Sequence, residues 1–391
     1  MLDEIILDNK TIIGIMTGTS IDNIDIVAVK FQITNNNKYK FELLASGSYP
    51  FSKDIELEIK NVIKEKVNIS TISQLNFVLS YVFVDTIKNF ILKNNIDFKI
   101  IDAISIHGQT VWHNPFPSNF AGNMIASTLQ LTNGSVISSL LNKTVISDFR
   151  SADIAAGGQG APLVPIFDYY FLVHNNSNVI ALNIGGMANI TFIPVKANID
   201  DIVAFDTGCG NILIDEYCQK YLNIPFDKDG NIARVGSINE KLLNELLNLE
   251  YFKLIPPKSC GREIFHLKIV ENILRKLNLD ISNNDILRTL TELSAITIVD
   301  SIKYCCNNAV VVVKGGGKNN SFLMELIKNK ASNRFSFILS DSFGISSTYY
   351  ESIAFAFLGF LSLENKFGNV PRVTGANKKV ILGTISRNFS K

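Results

Sequence analysis

The segment GIMTGTSIDNIDIVAVKF, from Gly14 to Phe31, decides the fold of this 391-residue chain. Both of its ends are apolar and rich in β-branched residues, which is typical of strands, whereas its middle collects Gly, Thr, Ser and Asp. The pattern predicts two strands joined by a turn. Backbone N–H groups in a glycine-bearing turn can hold phosphate oxygens because no Cβ blocks close approach, although glycine also serves many turns only by allowing a positive φ.

The same arrangement recurs later in the chain. VIALNIGGMANITFI, residues 179–193, is again a strand, a turn that contains Gly185 and Gly186, and a second strand. A third turn, Gly315 to Gly317, follows the apolar strand AVVVV and precedes a predicted helix. Two copies of a hairpin-led α/β domain with a nucleotide between them would explain all three turns.

Length and composition set limits on the rest. A chain this long exceeds what one core usually organises, and strand-like runs alternate with helix-length segments, which predicts two α/β domains. The formal net charge of +1 gives no support to a nucleic-acid partner. No apolar run approaches the roughly 18 residues of a membrane span, and no cleaved leader is expected. Five cysteines without a CxxC pair fit reduced thiols and a cytoplasmic location.

Polar residues in the first turn are candidates for a nucleotide site. Thr19 and Ser20 add hydroxyl donors for a phosphate, and Asp22 and Asp25 are candidate Mg²⁺ ligands, directly or through water. Turn capping by hydrogen bonds of the Asx type is the structural alternative for both carboxylates.

A further carboxylate follows an apolar strand in AFDTGCGN. Asp206 stands at the end of that strand, where α/β domains open toward their ligands. Phosphoryl transfer needs such a group to take a proton or to orient the nucleophile. The alternative is that Asp206 caps the helix that follows.

Neutral polar residues crowd the segment SIHGQTVWHNP. His107, Gln109, Thr110 and His113 fall within seven positions, which suits a polyhydroxylated ligand better than a metal. Either histidine can instead be a structural residue.

Three more residue groups carry charge in glycine-bearing or apolar surroundings. Arg150, in DFRSADIAAGGQGAPLVP, is a candidate clamp for a carboxylate, with internal pairing to Asp148 or Asp153 as the alternative. Glu351 begins an otherwise apolar helix, either as a partner for ligand hydroxyls or because the helix dipole favours it. The loop PPKSCGREIFH carries Lys258, for which a solvated surface turn is nearly as good an interpretation.

These blocks resemble the anhydro-N-acetylmuramic acid kinase family of the actin and sugar-kinase superfamily. The resemblance runs in family order from Gly14 to Ala376 through GIMTGTSIDNID, SIHGQTVWHNP, SDFRSADIAAGGQGAPLVPIFD, LNIGGMANIT, AFDTGCGNILID, PPKSCGRE, TLTEL, GGGKNNSFLM and GNVPRVTGA. It implies a two-domain actin-like (ribonuclease H-like) α/β fold with a central cleft for ATP and sugar. The domains would be residues 1–150 with 375–391, and residues 151–374.

The resemblance also implies an activity. It is the ATP-dependent phosphorylation of 1,6-anhydro-N-acetylmuramic acid at O6, with water opening the anhydro ring, to give N-acetylmuramate 6-phosphate and ADP in peptidoglycan recycling. Asp206 would be the catalytic base that activates the water, and Arg150 and Glu351 would line the sugar site with His107, Gln109 and Thr110. Asp22 would contact Mg²⁺ through Mg-ATP, and the enzyme would be a cytoplasmic homodimer without nucleic-acid or membrane partners.

The ATP-binding set follows from the same motifs. It comprises Gly18, Thr19, Ser20, Ile21, Asp22, Asn23, Ile24, Asp25, Gly185, Gly186, Gly315, Gly316 and Gly317, the last three near the adenosine. Asn23, Cys209, Cys260 and Lys314 depart from the family's usual Gly, Pro, Thr and small residue.

Three rival functions share parts of this pattern. Another small-molecule kinase of the superfamily would have the same glycine turns, and only the sugar-side blocks argue against it. A non-catalytic ATP-binding protein, such as an actin-like filament or a chaperone-like clamp, would need a surface for which no added domain is seen. A degenerate regulatory kinase is disfavoured because Asp22, Asp206 and Glu351 are intact.

Overall fold

A computed structural model describes residues 6–18, 21, 23–35 and 38–387 of the chain. The strands are β1 (Ile6–Thr17), β2 (Asn23–Thr34), β3 (Tyr39–Pro50), β4 (Ala103–Ile106), β5 (Gln109–Phe120), β6 (Asn123–Leu131), β7 (Thr144–Ser147), β8 (Val179–Ile184), β9 (Met187–Ile193), β10 (Val203–Cys209), β11 (Ala309–Lys314), β12 (Phe335–Leu339) and β13 (Thr384–Ser386). The helices are α1 (Lys53–Ile63), α2 (Ile69–Lys93), α3 (Gly134–Leu141), α4 (Ser151–Ala155), α5 (Pro165–Leu172), α6 (Ile212–Tyr217), α7 (Asn231–Arg234), α8 (Glu240–Leu247), α9 (Glu250–Lys253), α10 (Leu267–Lys276), α11 (Asn283–Cys305), α12 (Ser321–Ala331), α13 (Tyr350–Leu363) and α14 (Pro371–Thr374).

The chain divides into two units, Met1–Phe171 with Tyr349–Lys391, and Leu172–Thr348. The boundaries expected from the sequence fall after residues 150 and 374, so the structure moves both. The reason is aromatic packing. Phe167 of α5 contacts Phe41 of β3 and Tyr350 of α13, which places both helices in the core of the first unit.

In the first unit, the main sheet has the strand order β13-β7-β4-β1-β2-β3. β1, β2 and β3 are antiparallel neighbours, whereas β4 runs parallel to β1 and β7 runs parallel to β4. β13 pairs antiparallel with β7, so the end of the chain rejoins the first sheet as the segment KKVILGTIS predicts. β5 and β6 form a separate two-stranded ribbon.

In the second unit, the sheet has the order β10-β9-β8-β11-β12. β8, β9 and β10 are antiparallel neighbours, and β11 and β12 continue the sheet in parallel from β8. This is the order of β3-β2-β1-β4-β7 in the first unit, strand for strand. The internal repeat predicted from the glycine turns is therefore confirmed, and so is the fold class of duplicated ribonuclease H-like domains.

Helix α13 places Glu351 because it packs closely on β1. Gly14 allows this approach, since a Cβ there would lie 2.7 Å from the Ala356 Cβ. Nearly every residue of α13 is buried, as its uniformly apolar sequence predicts. The start of the helix, and with it Glu351, is thereby fixed against the first sheet.

Helix α2 is long and apolar enough to cross a membrane, judged by length and composition alone. No apolar segment of that length is expected from the sequence. The buried side chains of α2 recur at three- and four-residue intervals, from Leu75 through Leu79 and Phe83 to Ile87 and Phe90. They belong to the core of the first unit. This one-sided burial is the pattern of a helix that covers a sheet.

Candidate functional site

The turn after β1 is the first predicted ATP-binding element. Ile21 N–H donates to the Gly18 carbonyl at 3.2 Å, and Ile21 has a positive φ of 63°. Gln109 Nε2 approaches the same carbonyl at 3.4 Å. Thr19, Ser20 and Asp22, including the expected Mg²⁺ contact, lie outside the described residues.

Asn23, Ile24 and Asp25 lie on β2 and not in the turn. Ile24 is buried in the core, and Asp25 pairs with Met16 across the β1–β2 ladder. The Asp25 carboxylate accepts a hydrogen bond from Ser48 Oγ of β3 at 2.7 Å, and burial raises its pKa. Asp25 therefore has a structural partner, as the alternative interpretation expects. That partner is a cross-strand hydroxyl and not the turn amide of Asx-type capping.

Two adjacent parallel strands bring His107 and Arg150 together in the first unit. His107 follows β4 and Arg150 follows β7, so both stand at the carboxyl edge of the sheet. The Arg150 guanidinium lies against the imidazole, with Nε and Nη2 at 3.1 and 2.8 Å from His107 Nε2, and Nη1 donates to the Gly160 carbonyl at 2.7 Å.

These contacts fix the state of His107. A guanidinium only donates, so Nε2 is the acceptor and Nδ1 carries the proton that it donates to the Gly108 carbonyl at 2.7 Å. Burial and the Arg150 charge hold the pKa of His107 well below its usual value. The side chain is only 2% exposed. His107 is therefore a neutral residue whose two nitrogens are both occupied.

Arg150 forms no ion pair with Asp148 or Asp153 among the described residues, although the charges of Asp153 and Glu351 act on it. Burial lowers the pKa of Arg150 to about 10, and the charges of Glu351 and Asp153 oppose that effect. The Asp153 carboxylate accepts from Gly160 N–H, Asn369 and Thr374 and ties the glycine loop to the end of α14 and to the segment before it. The internal pairing considered for Arg150 is replaced by His107 and Gly160.

The other residues of SIHGQTVWHNP divide by depth. Gln109 is fully buried, and Thr110 is half-buried with its Oγ1 accepting from Gln130 Nε2 at 3.3 Å. His113 is exposed on the ribbon, where Nδ1 lies 3.0 Å from Thr128 Oγ1.

The second unit gathers its predicted residues at one edge of its sheet. The carbonyls of Gly185 and Gly186 accept from the N–H groups of Gly210, Asn211 and Ile212, which join the β8–β9 turn to the segment after Asp206. The loop Gly315 to Gly317 packs on the same place, because a Cβ on Gly315 would lie 2.6 Å from the Ile184 carbonyl.

The glycine loop fits a group that approaches the backbone. Gly315 has a φ of +84° that side chains rarely adopt, whereas a Cβ on Gly316 would meet nothing within 4 Å. Open space beside a glycine backbone suits part of a nucleotide. Within the described ranges, no three His, Cys, Asp or Glu side chains cluster as metal ligands would.

Backbone groups of the segment Lys258–Cys260 bind both the N–H and the carboxylate of Asp206. Its N–H donates to the Lys258 carbonyl at 3.0 Å, and one carboxylate oxygen, Oδ2, accepts from Cys260 N–H at 2.8 Å. Burial raises the pKa of Asp206 to about 6, and the Cys260 N–H acts against that shift. A carboxylate with a pKa near neutrality and one oxygen without a backbone donor is suited to accept a proton.

Sequence reasoning missed Tyr251 as a partner of this carboxylate's backbone. Its hydroxyl donates to the Asp206 carbonyl at 2.7 Å. The two residues are 45 positions apart, and Tyr251 lies in a four-residue helix without a periodic pattern. The one hint in the sequence was the nearby block PPKSCGRE. A glycine-bearing loop with Lys258 suggests that this stretch of the chain lies close to a functional site.

The duplicated ribonuclease H-like fold, with glycine turns after β1, β8 and β11 and a carboxylate on β10, defines the class of the actin-like kinases. The family model for anhydro-N-acetylmuramic acid kinase matches residues 10–388, and the chain belongs to that family. Relatives of that name from Clostridioides difficile (strain 630) and Bacillus cereus (strain AH187) are 39% and 38% identical to it. These matches cover 96% of this chain and 97% and 98% of the relatives.

Among solved structures, the chain is similar to the activator of the 2-hydroxyisocaproyl-CoA dehydratase from Clostridium difficile with bound ADPNP. The TM-score is 0.42 at 12% identity, and the match covers 91% of this chain and 98% of that one. A likeness this distant does not bear on the assignment.

Proposed function

We propose that this kinase phosphorylates 1,6-anhydro-N-acetylmuramic acid at O6 with ATP while water opens the anhydro ring at C1. The products are N-acetylmuramate 6-phosphate and ADP. Family membership supports the substrate. The observation that carries the chemistry is the Asp206 carboxylate, which is half-buried, accepts the Cys260 N–H through Oδ2, and has a pKa of about 6.

The reaction balances through Asp206. Water attacks C1 and gives a proton to the carboxylate, and the electron pair of the C1–O6 bond moves to O6. O6 forms the new bond to the γ-phosphorus, and the bond from that phosphorus to ADP breaks. Charge that would build on O6 is absorbed by the phosphoryl group, so the alignment of the three reactants supplies much of the catalysis.

On the sugar side, Arg150 is the proposed carboxylate clamp. His107 and Gly160 use three of its five N–H groups, which leaves one on each terminal nitrogen for the lactyl carboxylate of the sugar. Glu351 and Thr110 are the proposed partners for sugar hydroxyls. His107 and Gln109 are buried, so they contribute by holding Arg150 and the Gly18 turn.

On the nucleotide side, the turn residues Gly18 to Asp22 and the glycine turns at Gly185, Gly186 and Gly315 to Gly317 are the proposed contacts. The open space beside Gly316 supports this assignment. Asn23, Ile24 and Asp25 lie on β2 and would act by fixing the end of the first turn. Mg²⁺ bound with ATP would neutralise phosphate charge during transfer. Asp22 is its proposed contact. A cytoplasmic homodimer without nucleic-acid or membrane partners is the setting that the family resemblance implies.

The test is a paired assay with ATP and Mg²⁺ in ¹⁸O-labelled water. One arm offers the anhydro sugar, and the other offers N-acetylmuramic acid and common hexoses. We expect turnover of the anhydro sugar alone, with label at C1 and none in the phosphate. Asp206→Asn should lose about 10³-fold in kcat, while Asp300→Asn, at an exposed position of α11, should not. Turnover of an ordinary hexose, or label in free phosphate whichever sugar is present, would overturn the proposal.

A further inference from the structure

Asp206 lies on an edge strand whose outer side is covered by a loop. β10 pairs with β9 on one side and ends the sheet on the other. On that free side, the segment Lys258–Cys260 accepts the Asp206 N–H through the Lys258 carbonyl and donates the Cys260 N–H to the carboxylate. The orientation of the carboxylate therefore depends on where this segment sits.

Tyr251 contacts both Asp206 and the segment Lys258–Cys260. Its hydroxyl donates to the Asp206 carbonyl at 2.7 Å. Its ring lies 4.8 Å from Lys258 Nζ, and its own carbonyl lies 3.4 Å from the same nitrogen. Tyr251 is 4% exposed and contacts both Phe252 and Phe265 edge to face, so the ring has little freedom to move.

We propose that Tyr251 is a positioning residue that fixes β10 at Asp206 against the Lys258–Cys260 segment and so aims the carboxylate. With Oδ2 occupied by the Cys260 N–H, the other oxygen, Oδ1, is the one presented to water. This inference rests on the proposed role of Asp206 as base. Tyr251 does not touch substrate; it acts through the backbone on either side of the carboxylate.

Loss of the hydroxyl should affect turnover more than binding. Without it, a buried carbonyl loses its donor and the two segments can separate by a fraction of an ångström. Misplacement of a catalytic group by about 1 Å can cost about 10²-fold in rate. We therefore expect Tyr251→Phe to lower kcat by about 10- to 100-fold, with the KM values for sugar and ATP changed by less than about twofold.

The matched control is Tyr217→Phe. Tyr217 is also in the second unit and 3% exposed, and its hydroxyl donates to Asn283 Oδ1 at 2.7 Å. Removal of either hydroxyl should lower the melting temperature to a similar degree. If positioning is the role of Tyr251, only Tyr251→Phe loses kcat. Equal kcat values in the two variants would overturn the inference.

Two further variants separate the possible failures. Asp206→Asn measured in the same series tests the base itself; full activity there would reject the proposed function and this inference together, whereas inactivity beside a fully active Tyr251→Phe rejects only the inference. Lys258→Met keeps the buried hydroxyl and loosens the same segment. If Tyr251→Phe does not fold, a several-fold loss of kcat in Lys258→Met at unchanged KM supports the inference, and an unchanged kcat rejects it.

Discussion

The two units share one strand order but hold their charged groups by different means. In the first, the Arg150 guanidinium is oriented largely by another side chain, His107, which is itself fixed through the Gly108 carbonyl. In the second, the Asp206 carboxylate is oriented by the Cys260 backbone N–H. The repeated scaffold therefore carries these two charged groups at strands that do not correspond, after β7 and on β10, and the local contacts decide how much each group depends on side-chain identity.

Among the variants that test this difference between the two units, Arg150→Met has the largest expected effect. Arg150→Met should lower kcat/KM for the anhydro sugar by about 10²-fold or more, because truncating one partner of a buried charged contact costs about 2–5 kcal/mol. Arg150→Lys should recover little, since one ammonium cannot serve His107, Gly160 and a carboxylate together. Steady-state kinetics with varied sugar would measure both, and a Lys variant with the normal KM would refute the clamp.

The next effect contrasts two neighbouring glycines in the second unit. Gly315→Ala should lower the free energy of unfolding by about 2–4 kcal/mol, because φ is +84° and a Cβ would overlap the Ile184 carbonyl. Gly316→Ala, whose Cβ meets nothing within 4 Å, should cost less than about 1 kcal/mol. Urea denaturation of the two variants provides the comparison, and similar losses would contradict the packing described for this loop.

A smaller effect ties the stability of the second unit to pH. Burial raises the pKa of Asp206 to about 6, above its usual 3.8, so the folded protein binds a proton more tightly than the unfolded chain. Stability should therefore rise as the pH falls from about 6 to 4, and the penalty for the ionised carboxylate persists above pH 6. Asp206→Asn should be more stable than the wild type by about 1–3 kcal/mol at pH 8.

That difference should disappear near pH 4, where the wild-type carboxyl is protonated in the folded state. Urea titrations of both proteins at pH 8 and pH 4 would measure it. Equal stability at pH 8 would mean that the carboxylate pays no burial penalty, and its suitability as a base would then lack a physical cause.

Periodic and local features were predictable from the sequence, and contacts between distant segments were not. The glycine turns and apolar strands predicted the repeat, because strand and turn preferences act over a few residues. Asp25 was placed in the turn, although β2 begins at Asn23, because the end of a strand depends on pairing with its neighbour. The boundary after Phe171 depends on aromatic packing between α5, β3 and α13, which no local pattern encodes.

The candidate site follows the same rule. Arg150 and Glu351 were identifiable because strand ends and helix starts are local features that open toward ligands in α/β domains. Asp206 was identifiable from the apolar run before it, but the prediction that the strand ends there was wrong, because β10 continues to Cys209. The dependence of Arg150 on His107 was not identifiable, since 43 residues separate them and only the parallel pairing of β4 with β7 brings them together. Tyr251 was missed for the same reason.

The smallest expected effects compare the His107 side chain, which holds Arg150, with the Cys260 side chain beside Asp206. His107→Leu should raise the KM for sugar by about tenfold, the worth of one charge-assisted hydrogen bond of about 1.5 kcal/mol. His107→Gln should recover part of it, because its amide oxygen can accept from Arg150. Cys260→Ala should change kcat and KM by less than about twofold, because alanine keeps the backbone N–H that donates to the Asp206 carboxylate at 2.8 Å. The Cys260 thiol also interacts with that carboxylate, but a thiol is a weak donor. The backbone contact also explains how a cysteine can stand where the family usually has threonine. If Cys260→Ala lost as much activity as His107→Leu, it would be wrong that a side chain orients Arg150 whereas mainly the backbone orients Asp206.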